Sequence, residues 1–153
     1  MLLPARFIGG SPYGDVRFAA SDARLGTGGT TIADTATTSV TLPKPACTEC
    51  QLLSLRLDAL VAAISAAGTV LAQVFKRDNS GTPANRTLTG TKSLEADVID
   101  TTDKSYAFAI TSTSIQNLTF QSTDTARIDV VTTSSVGTQP TVTVTALWAI
   151  IKP

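Results

Sequence analysis

The run Thr141-Val-Thr-Val-Thr-Ala-Leu-Trp-Ala-Ile-Ile151 alternates apolar and hydroxyl side chains over most of its length. Successive side chains of a β-strand point to opposite faces, so the valines and Trp148 would share one face and the threonines the other. A second run, Leu53-Ser-Leu-Arg-Leu-Asp-Ala-Leu-Val61, alternates in the same way and predicts that Leu53 faces inward with Leu55 and Leu57. The first run therefore predicts a long strand near the centre of a sheet, with Trp148 packed in the core.

The composition supports strands throughout the chain. Twenty-six of the 153 residues are threonine and only two are glutamate, which favours pleated sheet over helix. Other short alternating runs are separated by turn residues, among them the polar segment Arg77-Asp-Asn-Ser-Gly81, which predicts a hairpin or sheet corner. We expect an all-β fold, an antiparallel two-sheet sandwich of jelly-roll or Ig-like type, over residues 37–153.

The first 36 residues have a different character. They contain Gly9-Gly10, Gly26-Thr-Gly-Gly29 and isolated aromatic residues, and they show no sustained periodicity of either kind. Such a segment cannot form a core of its own, so its aromatic side chains must dock elsewhere or remain frayed. We expect residues 1–36 to be an extended Gly-rich N-terminal arm preceding the sandwich domain.

Charge and hydropathy exclude several classes of function. Twelve basic and twelve acidic residues give zero net charge, which disfavours nucleic acid and membrane surfaces as partners. The longest apolar stretch, residues 57–73, is interrupted before it reaches membrane-spanning length, and the N-terminus lacks the pattern of a signal peptide. The absence of histidine removes Ser-His-Asp and Cys-His chemistry. We expect no enzyme, no catalytic residues, no metal and no cofactor.

The two cysteines have more than one interpretation. Cys47 and Cys50 form a C-x-x-C motif, which is compatible with a redox pair but occurs here without a βαβ unit. A loop with two thiols or a local disulfide is the plainer interpretation.

A small cluster of aspartates also has more than one interpretation. The carboxylates of Asp97, Asp100 and Asp103 could hold calcium or act in glycoside hydrolysis. Their spacing matches no EF-hand loop, however, and favours a solvated turn.

Four features together carry a resemblance to a known class of protein. They are the Gly-rich arm with no signal peptide, the Thr-rich sandwich with few lysines, the turn Phe75-Lys-Arg-Asp-Asn-Ser-Gly81 and the segment Leu118-Thr-Phe-Gln-Ser-Thr-Asp-Thr-Ala-Arg-Ile-Asp-Val130. In this combination the chain resembles the small β-sandwich proteins of tailed-bacteriophage virions, namely head decoration (cement) proteins and head-fibre proteins. The resemblance covers residues 37–153 at the level of pattern.

The resemblance implies a non-enzymatic structural protein that is made in the host cytoplasm and binds the outer capsid surface of the virion. Its partners would be the major capsid protein or other virion subunits, and it would associate as a homotrimer because capsid lattices offer local threefold positions. The arm would dock through apolar anchors and through arginines that pair with acidic capsid groups. The expected partner-binding residues are Arg6, Phe7, Ile8, Tyr13, Val16, Arg17, Phe18 and Arg24.

A second function remains open on the same fold. A carbohydrate-binding or receptor-binding module of a phage fibre would use the loops at one end of the sandwich, which we place at residues 78–90 and 133–140. In that case a glycan would be the partner, and the N-terminal arm would not be needed for binding.

Overall fold

A computed structural model describes residues 17–60, 70–79, 82–93, 104–133, 139 and 141–153. Five of the expected anchors, Arg6, Phe7, Ile8, Tyr13 and Val16, lie outside the described residues, as do the three aspartates of the acidic cluster.

Ten strands and one single-turn helix make up the described part of the chain. In chain order they are β1 (Arg17–Gly26), β2 (Thr37–Leu42), β3 (Glu49–Leu60), β4 (Val70–Asp78), β5 (Ala84–Thr87), β6 (Lys92–Ser93), β7 (Lys104–Ala107), α1 (Ile115–Leu118), β8 (Thr119–Gln121), β9 (Thr125–Thr132) and β10 (Thr141–Lys152). The expected all-β fold is confirmed. Strands β4 and β5 pair antiparallel, with Asp78 opposite Ala84, as the predicted hairpin requires, although residues 80 and 81 of that turn lie outside the described residues.

The strands form two antiparallel sheets. Sheet A has the order β1-β10-β3-β7, with β8 also paired to β3; sheet B has the order β2-β9-β4-β5, with β6 also paired to β4. The pairs are nested: β1 with β10, β2 with β9, β3 with β7 and β8, and β4 with β5 and β6. A long hairpin folded over into two sheets gives this nesting, which is the jelly-roll alternative; an Ig-like sandwich instead has the sheets A-B-E-D and C-F-G.

Strand β10 lies between β1 and β3, as its sequence predicts. Its ladder with β1 runs without a break from Arg17 opposite Ile150 to Gly26 opposite Thr141. The inward-facing side chains of β10 are fully buried, which confirms the core position of Trp148; they are Val142, Val144, Ala146 and Trp148.

The expected inward position of Leu53 is wrong. Leu147 of β10 pairs with Ser54 and the next residue, Trp148, pairs with Leu52, so Leu53 is an extra residue in a β-bulge. The bulge shifts the alternation of β3 by one position. Leu52 and Leu55 are therefore buried, whereas Leu53 is exposed.

Residues 17–36 belong to the sandwich, which differs from the expected arm that extends to residue 36. Strand β1 pairs with β10 along its whole length, because Ala23 and Leu25 face the core and support the strand. Gly29 allows the turn that follows, since a Cβ there would lie 2.4 Å from the carbonyl carbon of Arg24. Ile32 then returns to the core. The expected arm stays a prediction for residues 1–16, which lie outside the described residues.

Candidate interaction surfaces and the buried ion pair

A buried ion pair lies between β4 and the connection from β8 to β9. The Nζ atom of Lys76 is 3.1 Å from Oδ2 of Asp124, and the two side chains are only 7% and 1% exposed. Lys76 Nζ also donates to the backbone carbonyls of Gln116 and Thr119, at 3.2 and 2.6 Å. The ammonium group therefore connects sheet B to the α1–β8 segment.

The carboxylate of Asp124 also accepts hydrogen bonds from two backbone N–H groups. Its Oδ1 accepts a hydrogen bond from the N–H of Asn79 and its Oδ2 accepts one from the N–H of Gln121. The ring of Phe120 lies 5.3 Å from Lys76 Nζ and makes an edge-to-face contact with Trp148 at 5.1 Å between centroids. With every polar atom paired and aromatic rings around it, this cluster is a structural element of the core.

The sequence analysis treated Lys76 only as part of the turn Phe75–Gly81 and did not predict this ion pair, although the sequence contains a signal for it. Lys76 is in phase with the buried residues Ala72 and Val74, and Asp124 is in phase with Ala126 and Ile128 on the neighbouring strand. Opposite charges at inward positions of two paired strands indicate a buried ion pair.

The outer face of sheet A, here called the A face, carries a regular pattern of charge. On β1, Asp22 and Arg24 point outward and approach each other at 4.0 Å. On β3, Arg56 donates from Nε to Oδ1 of Asp58 at 2.9 Å. Between these strands β10 presents threonines, and the ladders place Asp22 level with Arg56 and Arg24 level with Asp58. The charges of β1 and β3 therefore run in opposite order along the strands.

One end of the A face is apolar. Phe18 is 66% exposed at the start of β1, Leu147 of β10 is 39% exposed, and Leu53 is 40% exposed at the bulge of β3. Phe18 pairs with Ala149, so it is the diagonal neighbour of Leu147 on the same face. Apolar and charged residues thus occupy separate zones of one sheet face.

The outer face of sheet B has a shallow depression of about 280 Å³. Its floor combines the half-buried ring of Phe75 with the carboxylate of Asp129, which accepts a hydrogen bond from Ser39 Oγ at 2.8 Å and pairs with Arg127 at 2.7 Å. The lining residues are Thr37, Leu71, Gln73, Phe75, Thr91, Asp129 and Val131.

The two cysteines are free thiols at the start of β3. Burial, reinforced by a hydrogen bond with Cys47, raises the pKa of the Cys50 thiol to about 12. A nucleophilic or redox-active cysteine needs the thiolate, which requires a lowered pKa. The environment of Cys50 therefore disfavours the redox interpretation of the C-x-x-C motif.

Three of the expected anchors lie within the described residues, and all three are in β1. Arg17 and Phe18 are exposed at its first two positions, and Arg24 faces outward beside Asp22.

Among the described residues no group of three or more acidic, cysteine or histidine side chains is arranged to hold a metal ion. No helix in this part of the chain has the length and hydropathy needed to cross a membrane.

No protein-family model and no curated protein matches the sequence. Among solved structures, the chain is similar to a chain of the cyanophage Pam1 capsid asymmetric unit, at 16% identity and a TM-score of 0.49, covering 88% of this chain and 86% of that one. It is also similar to a chain of Desmodium yellow mottle tymovirus (11% identity, TM-score 0.42, covering 100% and 94%) and of infectious bursal disease virus, Gx strain (15%, 0.41, covering 89% and 32%).

Proposed function

We propose that this chain is a non-enzymatic structural subunit of a virion that binds the outer capsid surface and reinforces it, docking through its N-terminal segment. The observation that carries the proposal is the position of β1. It is the first strand in the order of sheet A and its ladder partner is β10; within the described residues, the pairing on its other edge is a bridge from Leu25 to Thr30 at its C-terminal end, and the edge before Arg24 has no strand partner. Residues 1–16 directly precede this strand in the sequence.

An unpaired strand edge offers backbone donors and acceptors to an extended segment of another protein. Residues 1–16 would add apolar anchors at the same place, namely Phe7, Ile8, Tyr13 and Val16, with Arg6 and Arg17 pairing with acidic groups of the major capsid protein. Subunits held at local threefold positions of a capsid would associate there as trimers. The zero net charge and the Thr-rich faces suit a protein that covers a surface rather than one that transforms a substrate.

Co-purification with virus particles tests whether the protein lies on the outer surface of the virion. Particles from the cells that carry the gene would be banded in a density gradient and probed with antibody raised against the recombinant protein. We expect the protein to band with intact particles and to be accessible to the antibody there. Its presence in soluble fractions alone would overturn the proposal.

Rebinding to particles that lack the protein tests the docking segment. We expect Phe7→Ser/Tyr13→Ser and a chain without residues 1–16 to lose binding, because both remove the apolar anchors. Val131→Ser is the matched control: it also removes an exposed apolar side chain, but on the outer face of sheet B. Equal binding by all three proteins would exclude docking through the N-terminal segment.

A glycan-binding module of a phage fibre is the second candidate, and the depression on sheet B favours it. Gln73 and Asp129 offer polar groups beside the ring of Phe75, a combination that suits a sugar. A glycan array with Gln73→Ala as the negative variant tests this function. Glycan binding that survives removal of residues 1–16, together with no binding to particles, would select it over capsid docking.

A further inference from the structure

We infer that the A face is a self-complementary interface on which a second copy of this chain packs face to face, about a twofold axis parallel to β10. The inference goes beyond capsid docking and does not depend on it, because it concerns described residues of sheet A and leaves the N-terminal segment aside. It starts from the charge pattern of that face.

The two charged rows have the symmetry that a twofold contact requires. One row holds Asp22 on β1 and Arg56 on β3, and the next holds Arg24 on β1 and Asp58 on β3, each pair separated by β10. Rotation by 180° about an axis along β10 keeps a residue's level along the strand and exchanges the β1 side with the β3 side. Asp22 of one copy would then face Arg56 of the other, and Arg24 would face Asp58.

Each of these contacts occurs twice, as in any isologous interface. Across β10, Asp22 and Arg56 are about 10 Å apart at their Cα atoms and their side chains stand away from the sheet. Within one copy their ion-pair partners are instead Arg24 and Asp58, on their own strands. Packed sheets are also separated by about 10 Å, a gap that arginine and aspartate side chains can bridge from opposite faces. The pairs present within each strand would become parts of two four-charge clusters.

The same axis brings apolar residues together. Leu147 lies on β10 and would meet its own copy at the axis, while Phe18 on the β1 side would face the Leu53 bulge on the β3 side of the partner. The threonines of β10, Thr143 and Thr145, would also meet their own copies. The saddle shape of a twisted sheet is unchanged by rotation about an axis parallel to its strands, so the two faces match in shape as well as in charge.

A twofold axis perpendicular to the strands would also pair opposite charges, with Asp22 facing Arg24 of the other copy. That axis, however, places Leu147 over the polar end of β10 near Thr141 and leaves the apolar end of the A face uncovered. The parallel axis satisfies both zones at once, and it is therefore the arrangement that we propose.

Charge exchange within single strands tests the proposal without altering net charge. The β1 variant, Asp22→Arg/Arg24→Asp, and the β3 variant, Arg56→Asp/Asp58→Arg, each keep their internal pair but place like charges across the proposed interface. We expect the wild-type chain to sediment as a dimer at concentrations where each variant alone is a monomer, with dimer dissociation constants raised about a hundredfold or more. Mixed together, the two variants should form a heterodimer, because their charges become complementary again.

Several outcomes would overturn the proposal. They are a monomeric wild-type chain over the whole dilution series, homodimers of both variants (which would indicate the perpendicular axis), and failure of the mixed variants to associate. Leu147→Ser should weaken the dimer without changing charge, and removal of residues 1–16 should leave it intact. A chain without residues 1–16 that dimerises when the full chain does not would show that the N-terminal segment covers the A face, which also contradicts the proposal.

Discussion

Replacing Lys76 with methionine should destabilise the protein severely, although no cavity is created. The substitution leaves the carboxylate of Asp124, which is 1% exposed, without its counter-ion 3.1 Å away. It also removes the donor from the carbonyls of Gln116 and Thr119. Breaking a buried ion pair on one side typically costs about 3–5 kcal/mol, a large part of the roughly 5–15 kcal/mol that stabilises a domain. We expect a loss in that range.

Equilibrium unfolding in urea, followed by Trp148 fluorescence, measures this loss. Asp124→Asn should cost somewhat less, because the amide oxygen can still accept a backbone hydrogen bond. The double variant should cost less than the sum of the two by about 0.5–3 kcal/mol, since the second change removes a charge that the first leaves unpaired.

Lys152→Met is the matched control for Lys76→Met. Its ammonium group lies 2.9 Å from Glu49, a distance similar to that of the buried pair, but its side chain is 64% exposed. Exposed pairs contribute about 0–1 kcal/mol, so the control should unfold almost as the wild type does. If Lys76→Met and Lys152→Met lowered the free energy of unfolding by the same small amount, burial would not determine how much the Lys76–Asp124 pair contributes to stability, and the reasoning would be refuted.

Three further predictions follow from individual contacts. Ser21→Ala should cost about 1–3 kcal/mol in urea unfolding, because Trp148 Nε1 donates to Ser21 Oγ at 2.8 Å and would be left unpaired in the core; a loss near zero would contradict this. Cys50 should react with iodoacetamide at mildly alkaline pH only as fast as the protein unfolds, whereas Cys47, which is partly exposed, should react sooner; mass spectrometry of labelled peptides would show the order. Hydrogen bonds from Lys152 and Gln121 lower the pKa of Glu49, so its contribution is present above the ordinary carboxyl pKa and is lost as the pH falls through the lowered value. Glu49→Gln should therefore lose a little stability at pH 7, under about 1 kcal/mol because the pair is exposed, and the difference from wild type should vanish in acid.

The strands that were predictable from sequence are those whose alternation is uninterrupted. The β10 run places its side chains as expected, because one of its faces meets the core. The prediction failed at Leu53, where a bulge reverses the alternation and only the pairing with β10 reveals it. It also failed for β1, whose alternation uses alanine and serine on the inward side, residues too small or polar to stand out.

The interaction surfaces could not have been predicted from sequence for a related reason. The i, i+2 pairs Asp22–Arg24 and Arg56–Asp58 are visible in the sequence, but each alone is an ordinary solvated pair. Their opposite order gains meaning only when the jelly roll places β10 between them and sets Asp22 level with Arg56. Strand order depends on long-range nesting of the chain, which local periodicity does not encode.

The buried ion pair and the A face have different roles in this jelly roll: the first orders the interior and the second is exposed to solvent. Lys76 extends from sheet B to the carbonyls of α1 and β8, so it fixes the segment where the chain leaves sheet A for β9, around Phe120 and Trp148. An apolar residue in its place would fill the volume but could not satisfy the carbonyls of Gln116 and Thr119. The cluster thus orders this part of the sandwich from inside, whereas Phe18, Leu53 and Leu147 are exposed on the outer face of sheet A, where the proposed second copy would cover them.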